Sequence, residues 1–153
     1  MKKEEMQLLV SGVRNNAHCT VSNYTYSEMK GFGIIKIDSE QKYGINIYSV
    51  QRYLNFLGYR TEVMSSHLIK VFNKEEHPLY KIGDKFKHPK DDLVIEILGI
   101  KECIADYSTG LTGLSYEIKD NQHKQSYSVP CWYLEKNNQK FGYVKMRNRR
   151  TSK

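Results

Sequence analysis

Alanine is nearly missing from this chain: Ala17 and Ala105 are the only two among 153 residues. That shortage lies far below ordinary usage. With many Lys, Ile, Asn and Tyr codons beside it, it marks an AT-rich coding source, of the kind found in low-GC bacteria and their phages or other mobile elements. Proline occurs three times and Trp once. The three cysteines, Cys19, Cys103 and Cys131, are widely spaced and odd in number. They form neither a disulfide framework nor a CxxC metal knuckle, which fits a reducing compartment. No apolar run approaches the roughly 18 residues that a membrane span needs. Met1-Lys2-Lys3-Glu4-Glu5 leads into no signal-peptide core. The expected address is the cytoplasm, with no membrane partner. The HExxH, HxxxH, GxxxxGK[ST] and GxGxxG patterns are absent as well, so no metal, cofactor or catalytic residue is assigned and no enzyme is expected.

What is present is a folding chain with an uneven charge. Apolar residues make up 39% and aromatics 12% of the sequence, which excludes a disordered polycation. The length suits one ordinary domain or two very small ones. The formal charge is +7, from 24 Lys and Arg against 17 Asp and Glu. Residues 1–73 carry net +3, residues 74–138 net −2, and residues 139–153 net +6 with no acid. Lys145, Arg147, Arg149 and Arg150 in that last stretch are candidate phosphate contacts, because guanidinium and ammonium groups pair with phosphate and release counterions. A solvated tail that merely aids solubility is the equal alternative.

Periodicity predicts an α+β protein. Met6, Leu9, Val10 and Val13 fall on one stripe of a helix over about residues 3–14. His18–Tyr26 and Gly31–Ile37 read as strands rich in β-branched and aromatic residues. Ile47, Val50, Leu54 and Leu57 mark a second helix, which Gly58 can end. Tyr59–Met64 and Leu68–Phe72 read as a hairpin around Ser65-Ser66. The order is α-β-β-α-β-β, assigned to residues 1–76. The polar stretch 73–79 holds the module boundary. Residues 77–138 read as all-β, with strands at Tyr80–Lys87, Leu93–Lys101, Leu114–Lys119 and Gln125–Leu134, the scale of a small barrel. Residues 139–153 follow as a basic tail.

Two stretches resemble known families. Ile82-Gly83-Asp84-Lys85-Phe86, Glu96–Ile100 and Tyr116-Glu117-Ile118 are similar to an SH3-like barrel, a resemblance confined to the second half. Lys30-Gly31-Phe32-Gly33-Ile34-Ile35 resembles the first RNA-binding motif of cold-shock domains, with Thr20-Val21 upstream and Gly58-Tyr59-Arg60 downstream similar to that family too. The second family motif has only Ile45-Asn46-Ile47-Tyr48 here. The resemblance implies that Phe32 stacks a base, that the glycines let a strand approach the sheet, that Lys30 meets a phosphate, and that Tyr24 and Tyr48 extend the platform. The competing reading makes Gly-Phe-Gly the start of a core strand with Phe32 packed inside.

Other local patterns carry less. His18-Cys19-Thr20 has no second copy to form a two-histidine phosphoesterase, and neighbours on a strand point to opposite faces, so His18 could not activate Cys19. Gly110-Leu111-Thr112-Gly113 reads as a hairpin loop. Trp132, in the aromatic run Cys131-Trp132-Tyr133, either closes the barrel core or anchors a partner, with the core preferred. The resulting expectation is a small non-enzymatic protein that binds single-stranded nucleic acid or a nucleoprotein. The alternative is a phage- or plasmid-encoded anti-defence inhibitor that blocks a host protein such as a CRISPR or restriction nuclease.

Overall fold

The computed structural model describes residues 1–16, 18–38, 41, 44–74 and 78–147. The chain folds as helices with two antiparallel sheets, in two compact units. The first comprises Met1–Glu76 and Cys103–Gly113, and the second His77–Glu102 and Leu114–Lys153. Among the described residues no helix is long and apolar enough to cross a membrane.

The first unit contains α1 (Lys3–Asn16), β1 (Val21–Ser27), β2 (Phe32–Ile37), α2 (Ile47–Phe56), β3 (Tyr59–Val63) and β4 (Leu68–Lys74). Its sheet has the order β1-β2-β4-β3, so β2 and β4 are the central strands. The apolar stripe of α1 buries Met6, Leu9, Val10 and Val13, and that of α2 buries Ile47, Val50 and Leu54. Both stripes join Ile35, Ile37, Ile69 and Val71 from the central strands in one core. The start of α2 is held by Asn46, whose side-chain oxygen accepts from the N–H groups of Tyr48 and Ser49 at 3.0 and 3.2 Å, a cap worth about 1 kcal/mol. Its end turns through Gly58 at φ 101°, a region that disfavours any side chain.

Residues 103–113 bring one more piece to this unit. Ala105 and Leu111 pack against its core, and Asn15 donates to Ser108 Oγ at 2.9 Å. A side chain at Gly113 would meet the Phe56 ring and carbonyl oxygen at 2.6 Å, so only glycine fits there. Asp106 organises the turn by accepting from Ser108 Oγ at 2.8 Å and Thr109 Oγ1 at 2.7 Å.

The second unit contains β5 (Lys85–Lys87), the remainder of β6 (Val94–Asp106) and β7 (Leu111–Asp120), β8 (Tyr127–Pro130), α3 (Cys131–Phe141) and β9 (Val144–Lys145). Its sheet runs β8-β7-β6-β5-β9. Phe86, Ile95, Ile97, Tyr116, Ile118, Cys131 and Leu134 form the core. Among the described residues neither sheet closes on itself. The SH3-like resemblance needs a closed barrel, and β8 and β9 lie at opposite edges.

Three expectations for this half are corrected. The last strand ends at Pro130, and Cys131–Phe141 is helix instead of strand and loop. Proline has no N–H for the sheet ladder, and beyond it Cys131, Leu134, Glu135 and Asn138 are buried at helical spacing. The aromatic composition of Cys-Trp-Tyr masked that period. The first strand shrinks to Lys85–Lys87, because Asp84 accepts from the Lys81 N–H at 2.8 Å and closes a turn over residues 81–84. Residues 139–147 are not free tail up to Lys145: Val144 pairs with Lys87 and Lys145 with Phe86 along the edge of β5.

Candidate nucleic-acid interface

Alternation along the central strands of the first sheet sends one set of side chains into the helices and leaves the other on the opposite face. Gly33, Ile35 and Ile37 of β2 face the core, so Phe32, Ile34 and Lys36 do not. On β4, Ile69 and Val71 are buried, leaving Leu68, Lys70 and Phe72 on that same open face. The register sets these residues in rows. Phe32 lies opposite Phe72, Ile34 opposite Lys70, and Lys36 opposite Leu68. Glu62 of β3 extends the row of Lys70, while Ser27 and Thr25 of β1 extend those of Phe32 and Ile34.

Four of these residues form a compact group. The Phe32 and Phe72 ring centroids are 6.2 Å apart, tilted by 55°. The Lys70 ammonium sits 4.0 Å from the Phe32 centroid and 5.2 Å from that of Phe72. The Arg60 guanidinium lies 3.7 Å over the other side of the cluster, on Phe72. Both rings and Lys70 are half-buried, and Arg60 is exposed. A ring pair contributes about 0.5–1.5 kcal/mol beyond its buried area, and an exposed cation over a ring about 0.5–1 kcal/mol. The cations are thereby held against the rings. Lys36 is also exposed on this face, so Arg60, Lys70 and Lys36 outnumber the single acid Glu62. Each cation lies over a ring face, so a base that stacks there displaces it towards a phosphate, which a contact of about 0.5–1 kcal/mol allows.

The residues named from sequence separate. Phe32 belongs to the group, on the face away from the helices. Tyr24 does not, since it pairs with Ile35 and packs against the helix-side core. The cause is a bulge between Val21 and Asn23. Strict alternation from the buried Val21 would have put Tyr24 on the open face, and one extra residue reverses it. The two glycines have roles other than admitting a nucleic-acid strand. Gly31, at φ 74°, closes the turn that begins at Ser27. A Cβ at Gly33 would collide with the Met6 methyl and the Thr25 carbonyl oxygen, so its bareness makes room for α1.

Lys30 stands exposed in the β1–β2 turn, with its backbone N–H donating to Ser27 Oγ at 3.1 Å. Tyr48 is 60% exposed on the first turn of α2, not on the sheet, and lines a separate groove with Val63 and Met64. Lys145 lies 3.4 Å from the buried Asp84 carboxylate, so its charge is already engaged. Arg147 is exposed just after β9. Arg149 and Arg150 lie outside the described residues. Trp132 sits on α3, half-buried, its ring edge-on to Tyr133 at 5.8 Å and its indole N–H without a hydrogen-bond partner.

Sequence reasoning missed Arg60, Lys70 and Phe72. The alternation of Leu68–Phe72 puts Lys70 and Phe72 on one face, but only the pairing of β4 with β2 shows that Phe72 meets Phe32. The rejected nucleophile behaves as a structural thiol: Cys19 is buried, and burial followed by the nearby Asp38 charge pushes it up to about 11. Among the described residues no three His, Cys, Asp or Glu side chains converge as metal ligands. The chain matches no family model, no curated protein and no solved structure.

Proposed function

We propose that this is a non-enzymatic protein that binds single-stranded nucleic acid on the open face of its first sheet. The observation that carries this reading is the group Phe32, Phe72, Lys70 and Arg60 on the open face, where rings and cations alternate within 3.7–6.2 Å. Bases stack on the two rings, and phosphates pair with Arg60, Lys70 and Lys36. Single strands suit such a face because their bases are free to stack, whereas a duplex offers its rings only at its ends. A cytoplasmic address belongs to the same reading, since three free thiols persist in a reducing compartment.

Fluorescence anisotropy with labelled oligo-dT and oligo-U at about 50 mM salt, where phosphate contacts are strong, tests the proposal. Wild type binds, and the F32A/F72A variant binds more weakly by about 1–3 kcal/mol for each base that loses its ring. R60A/K70A lowers the slope of log affinity against log salt by about 1.4, at roughly 0.7 for each phosphate contact on a single strand. Absence of binding by the wild type, or equal binding by all three proteins, overturns the proposal. A host protein that stays bound after nuclease treatment, while the sheet-face variants bind oligonucleotide like wild type, would transfer the function to the inhibitor reading.

A further inference from the structure

The helix α3 divides its side chains sharply. Cys131, Leu134, Glu135 and Asn138 are buried, and Glu135, the only acid on the helix, accepts hydrogen bonds from the Tyr116 hydroxyl and the Leu79 N–H. The outer side is left with Trp132, Tyr133, Lys136, Asn137, Lys140 and Phe141, which together line a groove. Tyr133 is 52% and Phe141 49% exposed. The Lys140 ammonium lies 5.5 Å from the Phe141 ring centroid. Lys136 and Lys140 stand one turn apart, about 6 Å along the axis. This is the chemistry of the sheet face again, rings beside cations, on a different element of a different unit.

Lys136 and Lys140 open a stretch of sequence that holds no acid. Residues 1–135 hold seventeen basic and seventeen acidic residues, whereas residues 136–153 hold seven basic and none acidic. Of those seven, Lys136 and Lys140 stand on the outer side of α3, while Lys145 is engaged by Asp84. A neutral apolar partner would leave these lysines desolvated without counter-charge. A polyanion that also carries planar rings satisfies both halves of the surface.

We infer that the outer face of α3 is a second binding surface for single-stranded nucleic acid, with Tyr133 and Phe141 stacking bases and Lys136 and Lys140 pairing with phosphates. The inference rests on the α3 groove and its charge, so it stands or falls separately from the sheet face. The test uses the full chain and labelled oligo-dT and oligo-U of about 20 nucleotides, long enough for one or more site sizes of a stacking surface. Y133A/F141A weakens binding roughly tenfold or more. K136A/K140A lowers the salt slope by about 1.4. All four positions line the outer groove, and an unchanged thermal midpoint shows that the fold is kept. Loss with the α3 variants but not with F32A/F72A establishes the helix surface and removes the sheet-face proposal. Loss with F32A/F72A alone does the reverse. Oligonucleotide binding unaffected by both α3 variants overturns the inference, including when those variants lose a nuclease-resistant protein partner instead.

Discussion

The two units bury different things. In the first, the described core is a continuous apolar body, with Leu9, Val10, Val13, Ile35, Val50, Leu54, Ile69 and Val71 nearly inaccessible to water. In the second, a smaller apolar cluster is interrupted by Asp84, Ser115, Asp120, Glu135 and Asn138, all buried. Asp106, in the turn that joins the first unit, is the buried charge that departs from this division. Several polar groups of the second unit are bonded in chains. Glu135 holds Tyr116, whose hydroxyl also accepts from the Tyr80 N–H at 3.1 Å, and Asp120 accepts from the Tyr127 hydroxyl at 2.9 Å. The first unit is therefore stabilised mainly by volume, with the Tyr59–Glu5 bond and Asp106 as its titrating contacts, and the second also by a buried polar network. A core formed on one side only is also what leaves the sheet of the first unit with a face for rings and cations.

Leu54→Ala is the largest expected break in that contrast. It opens a cavity in a fully buried site and costs about 2–5 kcal/mol in chemical denaturation. The cost should hardly vary with pH. A loss below 1 kcal/mol would mean that the first core is loosely packed.

Tyr116→Phe is the corresponding probe of the second unit. It removes one hydroxyl from a packed site and leaves its partners short of a bond, costing about 1–3 kcal/mol. Burial, then the bond to Glu135, raises the Tyr116 pKa well above the ordinary tyrosine value. Its neutral form thus stabilises the fold fully below about pH 10, the unfolded value, and that share is lost as pH rises through the folded value. Alkaline unfolding should be less steep in Y116F than in wild type. Parallel curves would remove Tyr116 from the network.

A smaller effect separates the units at acid pH. Burial alone would raise the Asp120 carboxyl, but bonds from His123, Tyr127 and the Gln122 N–H outweigh it and lower the pKa. In Asp106, bonds from Thr109, Asn16 and Ser108 likewise outweigh burial and hold the carboxyl at about 2. A lowered value gives stability that is complete above about pH 3.9, the unfolded value, and is lost as pH falls through the folded one. D120N should be less stable than wild type at pH 7, with the two converging towards pH 2. D106N should do the same, with exchange of backbone amides rising around residues 103–113 instead of in the second unit. Identical exchange maps for both variants would contradict the division.

Thiol chemistry gives the mildest test. Burial pushes Cys19 up to about 11 and, with Glu135 nearby, Cys131 up to about 12. Cys103 is only half-buried. An aromatic disulfide reagent at pH 8 should modify Cys103 first and the other two only on unfolding. Early modification of Cys19 would show that the end of the first core opens readily.

Local periodicity made the first unit readable. Met6 to Val13 and Ile47 to Leu57 repeat at helical spacing, and both helices form where that spacing predicts. Features that depend on distant pairing were not legible. The bulge after Val21 turns Tyr24 inward, and nothing in Val-Ser-Asn-Tyr announces it. Phe72 acquires its role from Phe32, 40 positions away, through the β2–β4 register. In the second unit the helical period of α3 was hidden because two of its four inward positions are Glu135 and Asn138, residues that a search for apolar stripes passes over. The charge was legible in amount but not in address: Lys140, read as part of a tail, stands on a folded helix.

Photocrosslinking locates a bound single strand on the protein. Full-length protein is irradiated with oligo-U carrying 4-thiouridine, and the linked peptides are read by mass spectrometry. Adducts are expected at Phe32 and Phe72, or at the adjoining Arg60 and Lys70, and are diminished by unlabelled oligo-U. Adducts confined to residues on the helix-side core or elsewhere in the chain, with none on β2 or β4, would contradict the sheet-face proposal.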